Sequence, residues 1–427
     1  MNDADTEFST ELSTAAFNAW IYGLPLIEFA QTRHAIVAAQ LARGVTTSVN
    51  HLTHGRRLVN AKNRVVTAPN VDTIYSSAFI DLSGGPVTLS LPAAGDRYLS
   101  LHLMDAYTNS FCILGTRTTG PSGGTFILAG PTDPAPVGAI RSPTPSVWAV
   151  LRVLVDDDDD YPAANRIQDE TRVTGPTAAL PEQYALRDAP WNEYFTSVQK
   201  LIIENPPPAT DKAFFDSVSV LGLAPDGGFD ADRFSPAEVA EIEAGVKRAS
   251  EYVRSAGMAT RAENGWTYPA ANLGDWGQDY RARGLVALSG LGALPPVEAT
   301  YCGSLTPDGQ GFFTDDRCYR LHLDADKMPP ARAFWSLTMY ERLENGQSFL
   351  VGNRLDRYAI RDRTRGLTYN DDGSLDIWIA REDPGGNRTT NWLPAPSEGA
   401  YHLSMRCYLA EPELINGTYR LPPIEPA

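Results

Sequence analysis

Apolar side chains recur at helical spacing over residues 9–43, first as Leu12, Phe17, Trp20, Ile21 and Leu24, then as Phe29, Ala30, Ile36, Val37 and Leu41. Ser9 is placed to cap the first turn, Gly23 and Pro25 predict a break, and Gly44 predicts a stop, so the pattern reads as an N-terminal helical hairpin. From about 65 to 131 the period falls to two. Val71, Thr73, Tyr75, Ser77 and Phe79 alternate with Asn70, Asp72, Ile74, Ser76 and Ala78, and short strands follow between Gly-rich turns up to Gly130-Pro131. Over 160–295 the spacing turns helical again, with helices expected at 190–203, 235–255 and 278–291. The second opens on Ser235-Pro-Ala-Glu238, where serine caps, proline fits the first turn and Glu238 reaches back. Gly290-Leu-Gly292 ends the third helix, which makes it a stop signal and not a phosphate cradle. Strand spacing returns at 318–323, 333–340, 357–360, 374–380 and 400–408.

The fold class read from this pattern is mainly β with α. N-terminal helices occupy 1–64, a first β domain 65–160, a helical connecting segment 161–295 and a second β domain 296–427, the β domains being antiparallel, jelly-roll-like sandwiches. Composition agrees: 35 Gly and 32 Pro among 427 residues suit a turn-rich β protein, and 43% hydrophobic residues suit buried cores. The net charge of −16 repels phosphate backbones and anionic membrane surfaces, so neither nucleic acid nor membrane is an expected partner. The acidic, polar start differs from a secretion signal, and apolar runs stop well short of the roughly 20 residues that span a bilayer, so a cytoplasmic protein is expected. Cys112, Cys302, Cys318 and Cys407 are far apart and form no C-x-x-C pair, which reads as buried thiols.

Asn70 and Asp72, two apart, face one way in a regular strand with Tyr75 on the other side. A carboxamide beside a carboxylate suits a metal or a substrate hydroxyl, and Asn-x-Asp-Thr equally suits a local turn bonded to backbone amides. Asp105 and Tyr107 share that spacing, with Ser100, His102 and Met104 on the opposite face; they read as a general base beside a phenolic acid, or as a satisfied buried pair. Arg320, His322 and Asp324 alternate on one strand, and His402, Ser404, Arg406 and Tyr408 on another. As neighbouring strands these would line a ligand cavity; otherwise they form a solvated face. Trp335, Leu337 and Met339 point to a core. Tyr340, Arg357 and Tyr358 offer phenols and a guanidinium suited to a carboxylate, while Asn391 and Trp392 add an amide and a stacking surface or make a rigid corner. His51 and His54 form H-x-x-H without the glutamate of the metalloprotease pattern, a weak zinc signature. Asp156 to Asp160 read as a solvated loop, since five adjacent carboxylates cannot converge on one ion. Walker loops, dinucleotide fingerprints and the H-E-x-x-H pattern are absent from the sequence.

Ala68-Pro-Asn-Val-Asp-Thr-Ile-Tyr-Ser76, Asp81-Leu82, Gly85-Pro86-Val87, Arg97-Tyr98, Asp105-Ala-Tyr107 and Gly115-Thr-Arg117 together resemble the module known as domain of unknown function 1254. Phe334-Trp-Ser-Leu-Thr-Met-Tyr340, Arg357-Tyr358, Asn370-Asp-Asp-Gly-Ser-Leu375, Asn391-Trp-Leu-Pro-Ala-Pro396 and Arg406-Cys-Tyr408 resemble its companion, domain of unknown function 1214. The resemblance implies two jelly-roll-like β domains bridged by helices, often assembled as homo-oligomers. Relatives often carry secretion signals that are not seen here. The expectation is a cofactor-independent enzyme acting by acid–base hydrolysis, elimination or cyclisation on a small, partly apolar metabolite. Its catalytic groups are expected to be Asp72, Asp105, Tyr107, Tyr340 and Arg357, and its substrate contacts Asn70, Tyr75, His102, Trp335, Tyr358, Asn391, Trp392 and Arg406, with no metal ligand and no cofactor. A non-catalytic small-molecule or carbohydrate-binding or assembly protein is one alternative. A divalent-metal hydrolase using Asp72, Asp105 or His102 is another.

Overall fold

Glu11–Leu41 forms one helix in the computed structural model, which describes residues 10–45, 49–255, 261–309 and 311–427. A single rod thus replaces the hairpin expected from Gly23 and Pro25. An interior proline costs about 3 kcal/mol, but Ala15, Ala16 and every residue from Ala19 to Ala30 are buried, so tertiary packing outweighs the local loss. Gly23 permits that packing, since a Cβ there would lie 2.5 Å from Val198 Cγ2. The cap is Thr10, whose hydroxyl accepts from Ser13 N at 3.1 Å; Ser9 lies outside the described residues. Gly44 ends the helix region as expected, with φ of 79°.

Trp191–Glu204, Pro236–Ser255 and Tyr280–Ser289 form at the predicted places. Ser235 N donates to Glu238 Oε2 at 2.8 Å while Glu238 N donates to Ser235 Oγ at 3.4 Å, the reciprocal pair of a capping box. These helices pack Phe195, Ile202, Ile242 and Leu285 against Trp20, Ile21 and Leu24 of the long helix. Its crossing with Pro236–Ser255 is close: a Cβ on Gly245 would stand 2.3 Å from Ser13 O and 2.9 Å from Ala16 Cβ. Gly245→Ala should therefore destabilise by about 1–3 kcal/mol through overpacking, reversing the gain of about 0.5–1 kcal/mol usual for a helical glycine. Urea denaturation of the variant checks the sign.

The strands form four sheets. In the first half a five-stranded sheet runs, in spatial order, Thr53–His54, Thr73–Asp81, Ser146–Leu154, Leu99–Asp105, Ser110–Gly115, and a four-stranded sheet contains Val87–Leu91 and Gly124–Ala129. Ile74, Leu101, Leu103 and Leu151 of the first share a core with Val87, Leu89 and Leu128 of the second. In the second half a seven-stranded sheet centres on Ala331–Arg342 and Ala400–Ala410, and a four-stranded sheet on Tyr319–Leu323 and Leu375–Ala380. Trp335, Leu337 and Met405 face Leu321, Ile377 and Ile379 there. Two pairings are parallel, 128–129 with 140–141 and 378–380 with 392–394, so the two four-stranded sheets are mixed where only antiparallel ones were expected, while the strands of the large sheets pair antiparallel. The connecting segment is not wholly helical either. Arg172–Thr174 joins the small sheet of the first half, and Trp266–Tyr268 pairs onto the large sheet of the second. Among the described residues no helix is long and apolar enough to cross a membrane.

Each large sheet buries one face in its own half, and the alternation forces polar residues onto the other. Tyr75, Ser100, His102 and Arg152 occupy that outer face on the first sheet; Tyr301, Ser336, Tyr340, Arg406 and Tyr408 occupy it on the second. The two faces are brought together by Tyr98, whose ring lies 5.7 Å from Phe334 and 5.1 Å from Tyr408.

Candidate functional site

Residues 68–72 strap the first large sheet to the outer face of the second. Arg406 Nη2 donates to Ala68 O at 3.0 Å and to Tyr340 Oη at 2.7 Å, and the Tyr340 hydroxyl donates to Pro69 O at 2.6 Å. Arg361 Nη2 donates to Val71 O at 2.7 Å. Asn70 Oδ1 accepts from Asp72 N at 2.6 Å and Thr73 N at 3.0 Å, the local turn foreseen, while its Nδ2 donates to the Tyr408 hydroxyl. Asp72 is fully buried and accepts from Ser336 Oγ at 2.5 Å, Arg361 Nε at 2.8 Å and Arg363 Nη2 at 3.2 Å. Burial alone would raise its carboxyl, but Arg361, Arg363 and the Ser336 hydroxyl outweigh that and hold it below the ordinary range. A carboxylate so committed is a poor general base, which works best with a pKa near the operating pH. Four predicted residues, Asn70, Asp72, Tyr340 and Arg406, are thus brought together as an inter-sheet clamp.

Beside the clamp lies a different kind of group. The strand Ser146–Leu154 reads SVWAVLRVL, and its single charge, Arg152, is 4% exposed. Arg152 Nη2 donates to Gly292 O at 2.7 Å; Nε and Nη1 are buried and meet no partner among the described residues, and no carboxylate pairs with the guanidinium there. It stands 5.2 Å from the Tyr75 ring, with Tyr98, Tyr301 and Tyr408 nearby. Burial pushes those last three phenols up, so they stay neutral and supply no counter-charge. An unpaired buried ion costs several kcal/mol.

More unpartnered atoms share this patch. Ser100, the register partner of Arg152, has a buried hydroxyl beside the Tyr98 phenol; His102, two residues on, has a buried, unpartnered Nδ1. Its Nε2 is 2.7 Å from Ser110 Oγ, and burial, with Arg152 nearby, pushes the ring well below its usual range, so it is neutral. Around the patch Tyr75, Ser77 and Trp148 on one sheet, Leu291 and Gly292 on the covering loop, and Tyr301 and Ser404 on the other sheet remain half-buried.

The other predicted residues lie elsewhere. Asp105 opposes Val147, seven strand residues from the Thr73–Leu154 pair beside Asp72, which places the two carboxyls roughly 23 Å apart at about 3.3 Å per residue. Tyr107 falls beyond the strand, which ends at Asp105, so the spacing of two does not apply. Asp105 Oδ1 accepts from Tyr107 N and Asn109 N, both at 2.9 Å, while the Tyr107 phenol donates to Asn205 O at 2.8 Å in the helical layer. Burial pushes the Asp105 carboxyl up, partly offset by Asn109. The expected acid–base pair is therefore a turn and a separate anchor. Arg357 Nη1 donates to Thr390 O and Trp392 O, both at 2.9 Å, Asn391 Nδ2 to Asp376 O at 2.8 Å, Trp392 Nε1 to Ala380 O at 2.9 Å, and the Tyr358 hydroxyl to Asp356 Oδ1 at 3.1 Å. With Trp335 in the core, these form the rigid corner that was the alternative.

The strands carrying His322 and His402 belong to different sheets, so they do not share a cavity face. His54 lies in a two-residue strand, not on a helix; its Nδ1 is 2.8 Å from Ser76 Oγ, and burial lowers it to about 4. No group of three or more His, Cys, Asp or Glu is placed to hold a metal among the described residues. The aspartate run is less free than expected, since Asp156 pairs with Arg363 at 3.1 Å, Asp157 with Arg365 at 2.6 Å and Asp160 with Arg97 at 2.5 Å. Cys302 and Cys407 are buried, whereas Cys112 and Cys318 are half-buried.

The clamp and the surroundings of Arg152 both draw on the two halves of the chain, and those halves match two family models. Residues 49–175 match the model described as Protein of unknown function (DUF1254), and residues 298–412 match Protein of unknown function (DUF1214). The chain belongs to this tandem family. The strap lies in the DUF1254 module, and Ser336, Tyr340, Arg361, Arg363 and Arg406, which receive it, lie in the DUF1214 module. Among solved structures the chain is similar to the VPA0106 protein from Vibrio parahaemolyticus, at 21% identity over 98% of this chain and 100% of that one, with a TM-score of 0.72. That likeness shows a shared fold. A putative uncharacterized protein from Burkholderia cenocepacia matches at 12% identity over 97% of this chain and 93% of that one, with a TM-score of 0.46. No curated protein matches the chain.

Proposed function

We propose that this DUF1254–DUF1214 protein binds a small, partly apolar metabolite through an anionic group, in a cleft between its two large sheets. The supporting observation is Arg152, a buried guanidinium with two unused donor nitrogens and no carboxylate partner among the described residues. An anion entering that position gains a charge-assisted contact and relieves an uncompensated buried charge. Tyr75 and Tyr301, half-buried at the rim, offer ring faces for the apolar part of the ligand. The proposal takes each sheet pair as jelly-roll-like, a form that leaves a broad sheet face free for a ligand.

Catalysis on the bound metabolite is the second reading, favoured by one observation: the neutral imidazole of His102 lies on the same sheet face as Arg152. Cofactor-independent elimination, cyclisation or hydrolysis would then be run by the imidazole and the phenols, not by Asp72 and Asp105. Calorimetric titration with benzoate and with benzamide tests the binding reading. Benzoate should bind and the uncharged amide should not; equal affinity, or none for either, contradicts it.

A further inference from the structure

Resting on that reading of the cleft, we propose that His102 is the second anchor of the ligand's anionic group, donating a hydrogen bond from Nδ1, and that the pair Arg152 and His102 selects carboxylates. Arg152 is the register partner of Ser100, and Val150 that of His102. Arg152 and His102 are thus diagonal neighbours on one face, a separation of about 7–8 Å between Cα atoms that long side chains bridge. A carboxylate has two acceptor oxygens and fits between two such donors, one oxygen to each.

Nε2 of His102 is held 2.7 Å from Ser110 Oγ, a contact in which either atom can donate; with the serine hydroxyl as donor, the single proton of the neutral ring sits on Nδ1. With the proton on Nδ1, the ring N–H and the free N–H groups of Arg152 are donors lacking an acceptor among the described residues, the shortage that one bound anion fills. A neutral ring serves better here than a charged one, because it donates without adding to the charge already buried at Arg152.

Two variants and one spectrum test this. His102→Asn keeps an N–H near the Nδ1 position, and His102→Leu removes it. Benzoate affinity should fall about tenfold or more in His102→Leu, the worth of a hydrogen bond to a charged group, and should stay within about threefold of wild type in His102→Asn. Nitrogen-15 spectra of the ligand-free protein, which needs no variant to fold, should show the proton on Nδ1. Equal benzoate binding by wild type and His102→Leu, or a proton found on Nε2, overturns the role of His102 while leaving the cleft reading intact. Failure of wild type to bind benzoate at all overturns the cleft reading itself.

Discussion

Arg152→Met is expected to abolish anion binding without weakening the unliganded protein. Losing a buried charged partner of a bound carboxylate costs about 2–5 kcal/mol, so benzoate affinity should fall about 30-fold or more at about 1.4 kcal/mol per tenfold. The free protein should behave oppositely. Methionine fills similar volume with an apolar chain, and replacing an unpaired buried cation by a hydrophobic residue is often neutral or stabilising by about 1–4 kcal/mol. Against this stands only the hydrogen bond to Gly292 O, at a half-buried loop. Urea denaturation should show a midpoint equal to or above wild type. A large loss of stability would instead make Arg152 a structural group, held by its tyrosines.

Asp72→Asn should have the reverse profile, a loss of stability from about 3–5 kcal/mol of broken buried ion pair. Arg361 and Arg363 are largely buried against this carboxylate and would keep their charges without it. The pH dependence carries a sign. The folded pKa of Asp72 lies below its ordinary 3.8, so its contribution is complete above that value and is lost as pH falls and the unfolded chain takes up the proton first. Wild type should therefore lose its advantage over Asp72→Asn as pH falls below about 4, and hold it undiminished at pH 7. A variant as stable as wild type at pH 7 would refute the clamp.

Much of the fold can be read from the sequence because its signals are local. The capping box at Ser235 and Glu238, the strand alternation around Tyr75 and the core face of Trp335, Leu337 and Met339 all appear as the spacing predicts. Pro25 misleads because its penalty is local while the burial that overrides it comes from helices at 191–204, 236–255 and 280–289, far along the chain. The clamp was half legible. Asn70, Asp72, Tyr340 and Arg406 stand out as polar residues in or beside strands, but the role of Asp72 depends on Arg361 and Arg363, which no periodicity distinguishes. Arg152 was missed, although one signal pointed to it: a single arginine in an otherwise apolar strand. Its meaning depends on Gly292, Tyr301 and Tyr408, supplied by distant segments that the pattern of one strand cannot reveal.

The central claim is that Arg152 awaits an anion in a cleft between the two large sheets. Crystals soaked with 4-bromobenzoate give the most direct test, because bromine marks the ring by anomalous scattering. The carboxylate should lie within hydrogen-bond distance of Arg152 Nε or Nη1, with the bromine directed toward Tyr75 and Tyr301. Bromine found only at the outer surface, with the two Arg152 donors bonded to ordered water, would contradict the account.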